Sequence, residues 1–188
     1  KSATIGELTE SKDGYKNLTT IPCDSIFVSG NWTPTVHLAS QSGNKLKYES
    51  ETDTFLPDQS RQKETVTGSA NGSFTLKESL ADGFKKGYQL SDEITKNGRE
   101  TSIPISDEKD FGSHDKFWCM PLPDKKHYKR FVDFQNDVAV SDIQLAVREG
   151  FRSIEHVKRY TTLGMATDQG KTSNLNGLQL VSDLEKKI

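Results

Sequence analysis

The sequence contains very little cysteine: two residues, Cys23 and Cys119, in a chain of 188. They are too far apart for the paired spacing of a zinc or iron site, and they make no disulfide framework. Scarce and widely separated cysteine is typical of proteins in a reducing compartment. We therefore expect a cytoplasmic protein without a bound metal.

Other absences narrow the possible functions. No apolar run approaches the length of a membrane span, and the N-terminus has no signal-peptide pattern, so no membrane partner is expected. The formal net charge of -2 and the pI near 6.1 give no basic footprint, so no nucleic acid is expected as a partner. The chain also lacks an initiating methionine, and we expect a piece of a longer polypeptide.

What is present is mostly polar. Hydrophobic residues make up 32% of the chain and the mean hydropathy is -0.71, so some stretches must be loop or contact surface. We predict an α+β fold in three segments. Strands and one helix occupy 1–90, a connector rich in glycine, proline and charge occupies 91–126, and a small helical module occupies 127–188.

Segment 1–90 carries several strand patterns. The dipeptide Asp13-Gly14 predicts a turn between two short strands, and residues 45–48 and 54–56 predict a second hairpin. The nearly continuous apolar run at 25–30 predicts a strand that is covered on both faces.

Residues 64–72 predict a short strand that runs into a glycine turn, and 73–88 predict a helix that ends at Gly87. Strand, glycine turn and helix is the order in which α/β nucleotide-binding domains point backbone N–H groups at a phosphate. Gly68, Asn71 and Gly72 are therefore candidate contacts for a nucleotide phosphate. The spacing is not GxGxxG, and an ordinary connection between strand and helix is an equal alternative.

Three short helices are predicted in segment 127–188. Ser141, followed by Gln144, predicts the capping box of the first helix, which Gly150 ends. Ser153 is predicted to cap the second helix, and the third is predicted to begin near Ser173.

The loop before the third helix approaches a phosphate-binding P-loop, with Gly164, Gly170, Lys171 and Thr172. A P-loop has four residues between its glycine and the Gly-Lys pair, and it follows a strand. Here five residues separate the glycines and a helix precedes the loop, so we predict no ATPase.

The same loop, TTLGMATDQGKTS at 161–173, is similar to a loop of flavin amine dehydrogenases that follows TxxGMxxCQGxxC. That loop belongs to a small [2Fe–2S] module resembling the bacterioferritin-associated ferredoxin. Asp168 and Ser173 stand at its two cysteine positions, and Asp133 and Gln135 stand where an upstream Cys-x-Cys is expected. Thiolates hold such clusters, so the resemblance implies the shape of the module without its metal.

Three longer strings carry a closer resemblance: CDSIFVSGNWTPTVHL at 23–38, FVDFQNDV at 131–138 and REGFRSIEHVKRYTTLGMATDQGKTSN at 148–174. They resemble the alpha subunit of heterotetrameric sarcosine oxidase. The resemblance implies that 1–90 is the C-terminal part of an NAD-binding domain, and that 127–188 is a ferredoxin-like module without a cluster.

The resemblance also implies an activity, cofactors and partners. The family is an oxidoreductase that demethylates sarcosine to glycine with O2, giving hydrogen peroxide and either formaldehyde or methylenetetrahydrofolate. Its alpha subunit holds NAD, which Gly68, Asn71 and Gly72 are then expected to approach. FMN lies near the alpha–beta contact, and FAD lies in the beta subunit. The expected partners are the beta, gamma and delta subunits. The isolated chain is expected to be inactive and to bind no cofactor.

No catalytic side chain is expected in this chain, because flavins carry the amine chemistry. The residues predicted to contact FMN or the beta subunit are hydroxyl and cationic side chains of the glycine-containing loop and the helix before it: Arg159, Thr161, Thr162, Lys171 and Thr172. They are otherwise expected only to cap helices and solvate the loop. Two further functions stay open, a cofactor-free interaction module and an iron–sulfur electron carrier of an amine dehydrogenase.

Overall fold

The computed structural model describes residues 1–27, 32–96, 102–103, 106, 117–122 and 128–186. The chain divides into two compact units. The first joins Lys1–Val28 to Lys116–Ile188, and the second is Ser29–Asp115. Both combine helices with small antiparallel sheets, which confirms the predicted α+β class. The three segments predicted from the sequence, 1–90, 91–126 and 127–188, have different bounds from these two units. Their assignment as domains stays a prediction.

The first unit opens with an antiparallel hairpin of β1, Ser2–Leu8, and β2, Tyr15–Pro22. At the turn, the backbone N–H of Thr9 donates to the carbonyl oxygen of Gly14 over 3.1 Å. This bond closes the turn that Asp13-Gly14 predicted.

Residues 117–122 belong to the same unit and are held from two sides. The Tyr15 hydroxyl donates to the carbonyl oxygen of Pro121 at 2.9 Å. The Arg130 guanidinium donates to the carbonyl oxygen of Met120 at 2.7 Å and contacts the Cys119 sulfur at 3.0 Å. These bonds tie the hairpin to the chain that leads into the helical part.

The remainder of the first unit is the helical module. A two-stranded sheet, β5 at Phe131–Asp133 and β6 at Val138–Ala139, leads into three helices: α3 at Val140–Arg148, α4 at Ile154–Thr161 and α5 at Asn174–Glu185. The helices follow in the predicted order. Their apolar faces and the sheet enclose one core: Val132, Val138, Val140, Ile143, Ala146, Val147, Val157, Leu163, Leu180 and Val181.

The second unit holds a short helix, a hairpin and a long helix. Helix α1, His37–Gln41, precedes β3, Lys45–Glu49, and β4, Thr54–Gln59, whose antiparallel pairing confirms the predicted second hairpin. A 3-10 turn at Gly68–Asn71 then leads into α2, Leu76–Thr95.

Two predictions for the second unit were wrong. Residues 64–67 form no strand, because the chain makes no ladder with the hairpin before it reaches the 3-10 turn. Helix α2 begins after a capping box between Thr75 and Glu78, and it does not end at Gly87 but continues to Thr95. An interior glycine costs a helix only about 1 kcal/mol.

Two further predictions concern residues 25–30 and Ser141. Residues 25–27 are not a strand, and the other half of the predicted 25–30 strand lies outside the described residues. Ser141 does not cap α3, which starts one residue earlier. The N–H of Val140 donates to the carbonyl oxygen of Arg130 at 2.8 Å, so sheet pairing sets the helix start. The Asp142 carboxylate accepts the N–H of Ala139 at 2.8 Å.

Within 1–90, the described strands pair only as antiparallel hairpins. The membership of this segment in an NAD-binding domain stays a prediction, as does the ferredoxin-like comparison for the helical module.

Candidate functional site

The candidate site is the loop of residues 162–173, which joins α4 to α5 and is called the α4–α5 loop below. Helix α4 ends because Thr162 adopts a left-handed conformation with φ of 66°. Gly164, Gln169 and Gly170 also have positive φ, at 65°, 56° and 75°. The loop therefore folds back on itself in tight turns.

Asp133, at the end of β5, is the residue around which the α4–α5 loop closes. It is 1% exposed, as is Ser173. One carboxylate oxygen accepts the backbone N–H of Gly164 at 2.8 Å and the hydroxyl of Ser173 at 3.4 Å. The other accepts the N–H groups of Gln135 and Asn136 at 2.9 and 3.2 Å. Asp133 thus connects both ends of the loop to β5.

The turn between β5 and β6 runs along this loop. The Thr167 hydroxyl donates to the amide oxygen of Gln135 at 2.8 Å, and the Asn136 amide donates to the carbonyl oxygen of Thr162 at 2.9 Å. The structure therefore places Asp133 and Gln135 directly against the loop that contains Asp168 and Ser173.

Asp168 holds the second half of the loop. Its carboxylate accepts the hydroxyl and the N–H of Thr172 at 2.7 and 3.2 Å, and the N–H of Gly170 at 3.0 Å. The bond from the Thr172 hydroxyl, followed by the bond from Gly170, lowers the pKa of Asp168 below its usual value. An ionised carboxylate is therefore present close to Lys171 in the chain.

The three predicted threonines use their hydroxyls within the chain itself. The Thr161 hydroxyl donates to the carbonyl oxygen of Val157 at 2.8 Å and accepts the N–H of Leu163 at 3.2 Å. The Thr162 hydroxyl donates to the carbonyl oxygen of Thr161 at 2.5 Å. With the bond from Thr172 to Asp168, these contacts end α4 and shape the loop.

Arg159 and Lys171 differ from the threonines because both are exposed. Arg159 lies in the last turn of α4, and Lys171 lies three residues before α5. Neither forms an ion pair with another residue in the described part of the chain.

The backbone of the loop offers few free donors to an anion. The N–H groups of residue 164 and of residues 170–174 all donate to oxygens of the chain itself. An anion at this loop would therefore be held by the side chains of Arg159 and Lys171, and not by the backbone nest that a P-loop provides.

Gly164 and Gly170 pack on the side chain of Asn174, the first residue of α5. A Cβ at either position would overlap the Asn174 amide, and one at Gly164 would also lie 3.2 Å from the Cα of Gly170. The sequence analysis assigned Asn174 no role of its own, and predicted only that the third helix begins near Ser173. A pair of glycines bracketing the loop is the signal that could have indicated this close packing.

The second predicted site, the turn at Gly68–Asn71, lies in the second unit. The carboxylate of Asp82, on α2, accepts the N–H of Gly68 at 3.0 Å and the side-chain amide of Asn71 at 3.4 Å. Gly72 has φ of 88°, and a Cβ there would lie 3.0 Å from Leu56. A carboxylate thus takes the donors that were predicted to face a phosphate. No sequence pattern connected Asp82 with this turn.

Two absences apply to the described residues. No group of three or more histidine, cysteine, aspartate or glutamate side chains there is arranged to hold a metal ion. No helix in that part of the chain has both the length and the apolar character to cross a bilayer.

Comparison with known proteins gives consistent results over most of the chain. The sarcosine oxidase A3 domain family matches residues 127–188. The chain is similar to sarcosine oxidase subunit alpha of Rhizobium meliloti (strain 1021), with 37% identity over 87% of this chain and 16% of the relative.

The subunits of the same name from two Corynebacterium strains give weaker but similar matches. Identity is 30% for strain U-96 and 31% for strain P-1, each over 85% of this chain and 17% of the relative. The chain thus spans 16–17% of the length of these curated relatives. Residues 127–188 thus match the A3 domain of sarcosine oxidase, and most of the chain is similar to one part of sarcosine oxidase alpha subunits.

Proposed function

We propose that the chain is a segment of the alpha subunit of a multi-subunit sarcosine oxidase. The parent enzyme demethylates sarcosine to glycine with O2, giving hydrogen peroxide and either formaldehyde or methylenetetrahydrofolate. The observation that carries this proposal is the match to three alpha subunits over 85–87% of the chain. The proposed partners are the beta, gamma and delta subunits.

The chain contributes support and contact rather than catalytic side chains. When bound, the flavins FAD and FMN supply the two-electron chemistry that oxidises the N-methyl group and reduces O2. In the described residues, most polar groups around the α4–α5 loop form hydrogen bonds within the chain, and these bonds fix the shape of the loop. This arrangement suits a rigid surface that another part of the enzyme docks against.

The contact with FMN or the beta subunit is made by Arg159 and Lys171. Both are exposed cations, and the phosphate of FMN is an anion that such side chains bind. Thr161, Thr162 and Thr172 act indirectly, because their hydroxyls fix the loop from which Lys171 projects. The carboxylate of Asp168 keeps an anion away from Thr172 itself.

The turn at 68–72 is the part of the chain that we propose to approach NAD. Asp82 beside Gly68 and Asn71 would repel a pyrophosphate, but a carboxylate accepts hydrogen bonds from ribose hydroxyls. The residues present therefore fit the ribose end of the dinucleotide and not its phosphates.

The flavin contact is tested in the assembled enzyme with the variants Lys171→Ala and Arg159→Ala. Each removes one cation, so FMN should dissociate about tenfold faster, the factor that corresponds to the loss of one charge-assisted hydrogen bond. FMN content after gel filtration and the rate of FMN loss on dilution measure the effect.

Lys186→Ala is the matched control, because it removes an exposed lysine from the same unit, at 74% side-chain exposure. It should leave FMN in place. If Lys171→Ala and Arg159→Ala also retain FMN as the parent enzyme does, the contact is wrong. Capture of partners other than an oxidase beta subunit by the same chain would then favour the interaction-module alternative.

A further inference from the structure

Helix α2 carries an apolar face that the described part of the chain leaves largely uncovered. Leu80, Gly83, Gly87, Leu90 and Ile94 follow one another at steps of three and four residues, so they lie on one side of the helix. Leu90 is 42% exposed and Ile94 is 81% exposed. Alternating steps of this kind are the pattern of a face that packs against another helix.

Other sides of α2 are polar and form hydrogen bonds with the rest of the unit. The Asp82 carboxylate accepts the N–H of Gly68, and the Ser79 hydroxyl donates to the carbonyl oxygen of Ser73 at 2.8 Å. Most charged residues of the helix lie away from the apolar face: Glu78, Asp82, Lys85, Lys86, Asp92 and Glu93. The apolar face is therefore not the side from which these hydrogen bonds are made.

Gly83 and Gly87 lie one turn apart in the middle of this face, and no packing within the described residues explains them. An interior glycine weakens a helix, and in that part of the chain no atom lies within 4 Å of a Cβ added at either position. Gly177 of α5 is the opposite case, because a Cβ there would overlap the side chain of Leu163. Two glycines with open space in front of them allow another backbone to approach closely.

The connector that follows α2 has too little apolar surface to cover this face. Between residues 97 and 116 the sequence has three large apolar side chains, Ile103, Ile105 and Phe111, for a face about four turns long. The chain spans 16–17% of the related alpha subunits, so most of the proposed parent polypeptide lies outside it. A segment of the same polypeptide meets α2 at a higher effective concentration than a separate subunit does.

We propose that the apolar face of α2 binds a helix from the part of the alpha subunit that lies outside this chain. That helix crosses α2 at Gly83 and Gly87, and its apolar side chains pack against Leu80 on one side and against Leu90 and Ile94 on the other. The inference rests on the proposed function, because it takes the alpha subunit as the parent polypeptide.

Photocrosslinking in the assembled enzyme identifies what covers the face. The photoreactive amino acid p-benzoylphenylalanine replaces Phe84, an aromatic residue beside the glycines that is 40% exposed. The matched control places the same amino acid at Gln89, on the charged side of the helix. Position 84 should crosslink to alpha-subunit residues outside this chain, and position 89 should not.

The other crosslinking results would each overturn the proposal. They are a product that joins position 84 to the beta, gamma or delta subunit, to a second alpha subunit, or to residues of this chain itself. A sample that mixes isotope-labelled and unlabelled alpha subunits distinguishes the second copy. The absence of any crosslink from position 84 would show an uncovered face, and the proposal would then be wrong.

The variant Gly87→Leu should have opposite effects in two contexts. In the isolated chain leucine favours the helix over glycine, so hydrogen exchange of α2 should slow about fourfold. In the assembled enzyme the added side chain would occupy the space of the crossing helix. Exchange of α2 should then become about tenfold faster than in the parent enzyme, or the alpha subunit should fail to assemble.

Gln89→Leu is the matched control, because it adds leucine to the charged side of the same helix. It should leave α2 exchange and assembly as they are in the parent. Slower exchange of Gly87→Leu in both contexts would overturn the proposal. Loss of assembly in both variants would do so as well, since the effect would not belong to the glycine face.

This inference and the proposed function fail in different ways. A purified parent protein that contains no oxidase beta subunit and does not oxidise sarcosine overturns the proposed function. An enzyme with its subunits and activity intact, in which position 84 gives no crosslink to the remainder of the alpha subunit, overturns only the role of α2.

Discussion

Asp168 and Asp133 both hold the α4–α5 loop, but they have different surroundings. Asp133 is buried, whereas Asp168 lies where solvent reaches it and bonds within its own turn. Hydrogen bonds to a carboxylate stabilise its ionised form, and the bond from Thr172 is the main cause of the lowered pKa of Asp168. This shift connects the order of the loop to pH.

The sign of the pH dependence follows from the lowered pKa. Folded Asp168 holds its proton less tightly than unfolded aspartate, whose pKa is about 3.9. Its contribution is therefore present above about pH 4 and is lost as pH falls through the folded pKa. We expect Asp168→Asn to lower the urea midpoint at pH 7 and to have a smaller effect at pH 3.

Urea titrations of the parent chain and of Asp168→Asn at the two pH values measure this difference. Thr172→Val removes the hydroxyl that donates to Asp168 at 2.7 Å, so it should reproduce part of the loss at pH 7. An Asp168→Asn effect of equal size at both pH values would contradict the prediction.

At the scale of single residues, the sequence indicated which positions belong to a site better than it indicated which groups they contact. It marked Asp133 and Ser173 as equivalent to cluster ligands, and the structure shows them in one hydrogen bond. It could not show that Asp82 takes the donors of the Gly68 turn, because that contact joins residues 14 apart through a tertiary fold. Backbone donors find whichever acceptor the packing brings near.

The element that positions the site is the α4–α5 loop, whose close packing requires glycine at position 164. Gly164 has φ of 65° and leaves no room for a Cβ beside Asn174 and Gly170. Gly150, after α3, has φ of 96° but no atom within 4 Å of a Cβ. A comparison of these two glycines therefore separates the energetic cost of backbone strain from that of steric overlap.

We expect Gly150→Ala to destabilise the chain by about 1 kcal/mol, from backbone strain alone. Gly164→Ala should cost about 2–4 kcal/mol, because overlap with packed groups adds to the strain. Chemical denaturation of the two variants measures the gap. Equal losses would show that the loop moves to accept the methyl group, contrary to the packing described.

Elements determined by local sequence patterns were predictable, whereas element boundaries fixed by contacts with residues distant in sequence were not. The hairpin of β3 and β4 and the three C-terminal helices follow from local patterns of apolar residues and turns. The start of α3 at Val140 depends on pairing with Arg130, ten residues earlier, and Ser141 looked like a better cap. Tertiary hydrogen bonds overrode the local signal.

At the scale of the molecule, buried apolar side chains are distributed unevenly. Among the described residues, every buried hydrophobic side chain except that of Ala39 lies between Val132 and Val181. Helix α2 has 20 residues and buries none of them. The low hydrophobic content of the sequence predicted that some stretches are loop or contact surface, but not that the core is confined to one module.

This distribution predicts unequal local stability in the isolated chain. Amides of α3 and α5, which surround the core, should open only by cooperative unfolding of their module, whereas α2 should exchange through low-energy local opening. Hydrogen exchange measured by mass spectrometry should show protection factors at least about tenfold higher in α3 than in α2, since each 1.4 kcal/mol of opening energy gives that factor.

The Ile143→Ala variant should lower protection throughout α3 and α5, because Ile143 is 0% exposed in their shared core. Phe84→Ala, on the exposed α2 at 40% exposure, should leave the protection of α3 unchanged. Protection of α2 equal to that of α3 would mean that stability does not follow the buried apolar core.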